Sequence, residues 1–479
     1  MVLFVVLRAE IDCRNMNWGT SGQSSLSGLC TVGVGSITCY EALDQVGEGT
    51  YGYVFRALDK RDSSTVALKR MIIHKDFLGF PLCAVREIKF LKSLQHKNIV
   101  LLKDVAVSKA AEHTDKFVKA GNQQQGADEK DQQKDHGALE EASRVLSRCA
   151  NLYLVFEYVE HDLGGLIDAK YKFSPRVIKS IMKQLFDVLE FLEGRNILHR
   201  DIKSSNILIS NLHQVKLADF GLARSTLSVA CGHEGRMNLT NNVVTMWYKA
   251  PELLLGSTRY SYSIDMWSAG CVLAELELGR PLFPGKSEPE QIDLICKTMG
   301  TFSEESWSEL QTLPNYESLF KALPRYSNSL KNYSCNGQRI SDGALLLLER
   351  VLVANPAKRC SAYNALGNRY FSQAPQAPVD PTDLPPLLAT NESLHEFQTK
   401  QKRRAKEKEK AEEAASAAAT ARTEGCKAAF IEDAKVGGAF LPPKVYEPPG
   451  NPFGPPSMDE EEDGKGGAKK RPRTLSNVA

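Results

Sequence analysis

The sequence predicts an α+β protein, strand-rich first and helical later, built as one large bilobal domain with tails or as two domains. Two observations carry this. The chain has 479 residues, more than a single hydrophobic core usually organises. From Tyr40 to about Phe371, alternating apolar runs give way to helical periods. Hydrophobic residues at 42% and charged residues at 25% are ordinary for a folded soluble chain and argue against wholesale disorder.

Composition narrows the function classes. Lys plus Arg is 60 and Asp plus Glu 58, a net charge of +2, so the whole surface is not built to grip nucleic acid. The apolar opening Met1 to Leu7 is too short to span a bilayer and no basic leader precedes it. The 11 cysteines are scattered without a Cys-x-x-Cys pair, which fits a reducing compartment better than a disulfide framework or a zinc site. A membrane or secreted protein is therefore not expected.

Taken in order, residues 1–39 are rich in Ser, Gly and Cys and read as a flexible lead-in. Next comes Gly47-Glu48-Gly49-Thr50-Tyr51-Gly52-Tyr53-Val54, whose glycine spacing lets a hairpin lie close over phosphates and aim backbone N–H groups at them. An ordinary hairpin turn has the same pattern. A dinucleotide-binding loop would open a helix, whereas Val54 to Ala57 continues as strand. Val66-Ala67-Leu68-Lys69 is a short strand ending in one ammonium. Glu87, in the helical run Leu82 to Leu94, is placed to orient Lys69 by ion pairing. Each alone reads as a solvated surface charge; with the glycine loop they point to a phosphate site.

Residues 108–149 break the pattern. They carry Gln123-Gln124-Gln125 and many charges without an apolar face, and sit between strand-like runs Ile99 to Val107 and Leu152 to Val159. An inserted surface loop is expected, with room for a short helix over 138–148. Then follow His199-Arg200-Asp201-Ile202-Lys203-Ser204-Ser205-Asn206, Asp219-Phe220-Gly221 and Ala250-Pro251-Glu252. Phosphoryl transfer needs a carboxylate to take the incoming hydroxyl proton and oxygen ligands for magnesium. Asp201 serves the first need, Asn206 and Asp219 the second, and Lys203 offsets charge on the moving group.

All of these segments in this order resemble the signature set of eukaryotic protein kinases over Tyr40 to Phe371. The resemblance implies the bilobal eukaryotic protein kinase fold, with a small β-rich N-lobe to about Val159 and a larger, mostly helical C-lobe. It implies ATP and Mg2+ as ligands. Its ATP-binding positions fall on Val46, Gly47, Glu48, Gly49, Thr50, Tyr51, Gly52, Val54, Ala67, Lys69, Glu87, Phe156, Glu157, Val159 and Asp162, with Phe156 at the back of the adenine pocket and 157–159 as hinge. Asp265 to Gly270 and Arg359 are further landmarks, Arg359 pairing with Glu252.

Lys203, two residues after Asp201, is similar to the serine/threonine class. Pro81 to Glu87, Asp219 to Arg224 and Val243 to Tyr248 resemble cyclin-dependent kinases, which implies a cyclin partner that docks on Pro81 to Glu87 and closes the Lys69–Glu87 pair. A MAP kinase would need Thr-x-Tyr, where this chain has Thr240-Asn241-Asn242. His161-Asp162-Leu163, Leu239-Thr240-Asn241 and Leu394-His395-Glu396-Phe397 resemble the transcriptional branch that phosphorylates the RNA polymerase II C-terminal domain, some members of which carry an extra helix near the ATP mouth. A cell-cycle kinase and a catalytically silent scaffold are the alternatives. Leu82-Cys83, Lys249 and the long insertion depart from the family pattern.

The resemblance further implies Ser-Pro or Thr-Pro substrates, because the backbone beside Val244 offers no acceptor to the +1 amide. Thr240 is the expected activating phosphosite, clamped by Arg86, Arg200 and Arg224; Thr50 and Tyr51 match inhibitory phosphosites. In the extension 372–479, Ala374 to Leu388 is Pro-rich and expected to be extended. Residues 393–421 favour helix, and the rest is expected to be disordered. Lys400, Lys402, Arg403, Arg404, Lys406, Lys408 and Lys410 read as a solvated helix face or as a contact for RNA or an acidic partner. Lys469-Lys470-Arg471-Pro472-Arg473 resembles a nuclear localisation signal, so a nuclear protein is expected, with the cytoplasm as a second location.

Overall fold

The computed structural model describes residues 34–49, 52–72, 82–108, 151–226, 239–240, 243–335, 337–388 and 392–412. The chain forms two units, 1–409 and 410–479; of the second, only 410–412 are described, as helix. Thr50, Tyr51, the cyclin-contact entry at Pro81, the insertion from 109 on and the basic cluster at 469–473 lie outside the described residues.

The N-lobe is a six-stranded sheet, in the order β1-β5-β6-β4-β3-β2. Its strands are β1 (Val34–Ser36), β2 (Tyr40–Gly49), β3 (Gly52–Asp59), β4 (Thr65–Met71), β5 (Leu102–Val107) and β6 (Leu152–Glu157), with helix α1 (Leu82–Ser93) on one side. All neighbours are antiparallel except β1 with β5. Strand periodicity sends alternate side chains to opposite faces. In β6, Tyr153 and Val155 join Phe55, Val66 and Leu68 in one buried cluster, while Leu152, Leu154 and Phe156 join Ile88 and Leu91 of α1 in the main core. Both faces of β6 are covered, so its sequence is a continuous apolar run. The same alternation in β4 buries Leu68 on one face and turns its neighbour Lys69 to the other. Gly52 allows the hairpin to close, since a Cβ there would run into the carbonyl oxygen of Arg70.

The sheet begins earlier than the expected lead-in allows. Val34–Ser36 pairs with Val105 to Val107 and Ile37 is buried with Tyr40 and Phe55, because an apolar residue between two strands gains more by docking than by staying in water. The strands flanking the insertion pair directly, Val107 with Leu152. Ser108 and Asn151 close the base through Ser108 N to Asn151 O at 3.0 Å and Asn151 N to Ser108 Oγ at 3.1 Å.

The C-lobe holds β7 (His161–Asp162), α2 (Leu163–Asp168), α3 (Pro175–Gly194), β8 (Ile197–Leu198), β9 (Ile207–Ile209), β10 (Val215–Leu217), β11 (Arg224–Ser225), α4 (Pro251–Leu254), α5 (Ser263–Leu278), α6 (Glu288–Met299), α7 (Asp342–Val351), α8 (Ala362–Leu366) and α9 (Arg369–Ser372). Helix α3 starts at Ser174, whose side chain caps Val177 N, with Pro175 in the first turn. Its apolar residues at 177, 178, 181, 185, 188, 189 and 192 form the buried stripe. Helix α5 is apolar nearly all round and buried along its length, the central post of the lobe. Among the described residues no helix is long and apolar enough to cross a membrane.

The extension also differs from expectation. Leu384 and Leu387 are buried in the main core. Backbone atoms of the segment accept from Lys179 (Gln373 O 2.8 Å, Pro375 O 2.9 Å) and bond His213 Nε2 (Pro385 O 2.8 Å). Residues 372–388 are therefore packed on the C-lobe, held by a few leucines that a reading of proline content overlooks. Helix α10 covers 396–412, starting three residues later than the composition suggests; 413–421 lie outside the described residues.

Candidate active site

A cleft between the lobes is lined by Val46, Gly47, Glu48, Gly49, Gly52, Val54, Ala67, Lys69, Glu87, Phe156, Glu157, Val159, Asp162, Lys203, Asn206 and Asp219. Every nucleotide-site residue named from the sequence that is described therefore meets in one place. Val100, Leu208 and Ala218 add apolar walls, and Tyr158, Ser205, His395, Glu396 and Phe397 add rim. Single apolar residues on unrelated strands leave no mark in the sequence; they emerge only when β9 and β10 close the floor.

At the inner end, Lys69 Nζ donates to both oxygens of Glu87 at 2.9 Å and to Asp219 Oδ1 at 2.9 Å. Burial works against the ammonium, but Asp219 and Glu87 outweigh it and hold Lys69 above the ordinary lysine value. Burial pushes the Glu87 carboxyl up to about 6 against the pull of Lys69, so the pair is charged at neutral pH. Asp219 is also buried, yet Lys69, and less strongly Lys203, bring it down to about 2. Lys69 and Glu87 are thus paired in this structure.

Asp201 is held from three sides. Lys203 Nζ donates to its Oδ2 at 2.8 Å, Asn206 Nδ2 to Oδ2 at 2.9 Å, and Thr245 Oγ1 to Oδ1 at 3.0 Å. Thr245 was not singled out from the sequence, although it sits inside the quoted run Val243 to Tyr248. Asp265 on α5 accepts the N–H groups of His199 (2.8 Å) and Arg200 (2.9 Å), fixing the loop from below. A carbonyl only accepts, so His199 Nε2 carries the proton it gives Ala218 O (3.1 Å). Its Nδ1 takes the Asp201 N–H (3.3 Å), and burial holds the ring neutral. Arg200 and Asp219 both take left-handed backbone, φ 67° and 63°, conformations that cluster where a site dictates geometry.

The residues present fit a hard divalent cation. Asn206 spends its amide nitrogen on Asp201, and Asp219 spends Oδ1 on Lys69, leaving one oxygen each on the cleft wall. No group of three His, Cys, Asp or Glu among the described residues could hold a metal. An ion here would complete its shell with phosphate and water oxygens, which is how Mg2+ is usually bound.

Asp162 is more occupied than a free nucleotide ligand. Its Oδ1 caps α2 through Gly165 N (2.7 Å). Its Oδ2 takes Glu396 N (3.0 Å) and His395 Nδ1 (3.2 Å). The extension crosses this point closely: a Cβ on Gly165 would collide with Leu394 O. Gln398 then reaches Asp44 Oδ2 at 2.8 Å and Gln45 O at 3.2 Å on β2. Glu157 is likewise engaged: its Oε1 accepts Leu101 N (2.8 Å) and Lys216 Nζ (2.9 Å), and its own N–H donates to Leu101 O (3.0 Å). On α10, Lys400 pairs with Glu396 and Arg403 with Asp168 at 3.7 Å; Lys402, Arg404, Lys406, Lys408 and Lys410 are exposed.

The three arginines expected around Thr240 are not gathered on its side chain. Arg86 donates to Gly221 O (3.1 Å) and Arg200 to Leu222 O (2.7 Å). Arg200 also bonds Tyr260 Oη (3.0 Å), whose hydroxyl donates to Thr240 O (2.6 Å); Arg224 acts on the same tyrosine through its charge. Thr240 is exposed, and the carbonyls of Gly221 and Leu222 hold the guanidinium groups of Arg86 and Arg200. Nearby, Val244 holds φ at 70°, strained backbone for a β-branched residue. Lys249, which departs from the family pattern, is buried and pairs with Glu288 at 2.7 Å. Arg359 and Glu252 form a buried bidentate pair at 2.9 and 3.0 Å.

Residues 40–371 match the protein kinase domain. The chain is 42% identical over 384 residues to cyclin-dependent kinase C-1 of Oryza sativa subsp. japonica, covering 80% of this chain and 67% of that one. With cyclin-dependent kinase C-1 of Arabidopsis thaliana the figures are 41% over 369 residues, 77% and 66%. With CTD kinase subunit alpha of Schizosaccharomyces pombe they are 38% over 366 residues, 76% and 53%. The chain thus spans about two thirds of the plant relatives and half of the yeast one.

Proposed function

The chain belongs to the protein kinase family, and from that premise we propose that it is a cyclin-dependent serine/threonine kinase. It moves the γ-phosphoryl group of ATP to Ser or Thr followed by Pro, and acts in transcription on the RNA polymerase II C-terminal domain. The observation that carries this is the Asp201 carboxylate held by Lys203, Thr245 and Asn206 beside the Lys69–Glu87–Asp219 ion triad.

Each residue has a task. The apolar walls take the adenine and the glycine hairpin covers the phosphates. Lys69 presents an ammonium to phosphate oxygens, oriented by Glu87. Asn206 and Asp219 would hold Mg2+, which when bound supplies positive charge to the phosphoryl oxygens. Asp201, aimed by three donors, accepts the proton of the incoming hydroxyl. Lys203 bridges Asp201 and Thr245 (2.8 and 3.3 Å), so a cation stands beside the group being transferred.

The Val244 backbone supports proline at +1: a left-handed residue turns its peptide away from the extended path, and an amide with no N–H loses nothing there. A phosphate on Thr240 would draw Arg86 and Arg200 from carbonyls, and Arg224 with them, to a dianion, a stronger acceptor. The names of the plant relatives support a cyclin partner, and that of the yeast relative supports the polymerase substrate. Nuclear location is part of this proposal and rests on Lys469 to Arg473 alone. A silent scaffold is disfavoured because each group the chemistry requires is present and aimed. Incubation of the chain and its co-purified partner with γ-labelled ATP and Ser-Pro repeat peptides tests the reading. Label on serine before proline is expected; an equal signal from Ser-Ala peptides refutes the specificity, and no label refutes the activity.

A further inference from the structure

Ser204 follows Lys203 and is buried, 5% exposed. Its hydroxyl lies 2.9 Å from the Tyr248 hydroxyl and donates to Glu275 Oε1 at 3.4 Å, while Tyr248 donates to Glu275 Oε2 at 2.7 Å. Tyr248, its own proton given to Glu275, accepts the single Ser204 proton at 2.9 Å, which the longer 3.4 Å approach to Glu275 Oε1 shares. Three elements are knotted by this contact: the loop bearing Asp201 and Lys203, the segment bearing Val244 and Thr245, and the central helix α5. At the reacting side the loop and the segment meet at one point, Thr245 Oγ1, which donates to Asp201 and accepts from Lys203. The Ser204–Tyr248 bond is a second tie beneath, and two ties fix an orientation where one leaves a pivot.

We propose that Ser204 is a positioning residue for phosphoryl transfer, its hydroxyl locking the substrate-holding segment to the loop that carries Asp201 and Lys203. Alanine would fit the same buried space and keep the fold, so the hydroxyl serves the register of the two segments more than stability.

The surroundings of Glu275 give the tie a signature. The titratable groups that act on it most strongly are Tyr248, Glu396 of α10 and Asp168 of α2, and Glu275 in turn acts on Cys271 of its own helix. Burial pushes its carboxyl up to about 7, and the bonds from Tyr248 and Ser204 hold it down. Below that pH the acceptor is neutral and both hydroxyl bonds weaken.

The inference rests on the proposed kinase activity, and the test separates the two. The full-length chain with its co-purified partner is assayed on a Ser-Pro peptide between pH 6 and 8.5, as wild type, S204A, S204C and E275Q. S204A is expected to lower kcat by about threefold to tenfold, the worth of one neutral hydrogen bond, with KM for ATP unchanged. It should also move the acid limb of the kcat profile to higher pH. S204C, of similar size but a weak donor, falls between, and serves if S204A does not fold. E275Q keeps an acceptor and flattens the limb. An active wild type whose S204A variant keeps both kcat and pH profile overturns this inference alone; a wild type that labels nothing overturns the activity and the inference together.

Discussion

Replacing Arg359 should unfold this protein more readily than almost any other single change in the C-lobe. All five N–H donors of the guanidinium are used: Nε to Val353 O, one terminal nitrogen to Glu252 Oε1 and Ser263 O, the other to Glu252 Oε2 and Ala354 O. The pair is 0% and 2% exposed. Arg359→Ala strands a carboxylate and three carbonyls out of reach of water, and breaking such a pair costs about 3–5 kcal/mol. For a domain of this size that is a fall in Tm of about 4–7 °C. Arg359→Lys keeps the charge but supplies three donors for five acceptors, so it should lose more than half as much. Glu252→Leu combined with Arg359→Leu removes both charges and should recover part of the loss. Thermal unfolding of the full chain reads all four proteins. An Arg359→Ala shift under about 2 °C would refute the reasoning, as would a double variant less stable than Arg359→Ala.

Further expectations concern the segment, the extension and pH. Val244→Gly relieves a β-branched residue at φ 70° and should raise stability by about 1 kcal/mol, with weaker preference for proline at +1 in a peptide array. Truncation after residue 391 removes His395, Glu396 and Phe397 from the cleft rim and should raise KM for ATP about threefold while kcat changes less. The Glu275 carboxyl is raised from 4.5 to about 7 by burial, so between those values the folded state holds a proton the unfolded state has released. Its contribution to stability is full below pH 4.5 and lost as pH rises through about 7; Glu275→Gln should flatten that part of a stability–pH curve measured by urea unfolding.

The chemistry was legible where it dictates residue type. Lys69, Glu87, Asp201, Asn206 and Asp219 are spread along the chain, and order and spacing singled them out as candidates that the fold then brings together. The two-lobed fold followed from the same segments. What stayed hidden depends on contacts with no local signature. Val100, Leu208 and Ala218 line the cleft because β9 and β10 pair beneath it. Thr245 and Ser204 matter only because the loop and segment meet. Ile37, Leu384 and Leu387 are single apolar residues inside segments of loop-like composition, and burial of one or two side chains sufficed to order each. The pairs Asp162–His395 and Asp44–Gln398 join positions more than two hundred residues apart, beyond any periodicity.

In the proposed reaction Asp201 takes the proton of an alcohol as it meets a nucleotide phosphate. Asp201→Asn keeps the shape and an acceptor for Lys203 but not the base. Phosphate transfer to a Ser-Pro peptide by this variant, assembled with its partner and measured beside ATP affinity, tests the claim most directly. A fall of about a hundredfold or more in kcat with ATP affinity unchanged is the expected result; transfer at the wild-type rate would contradict the account.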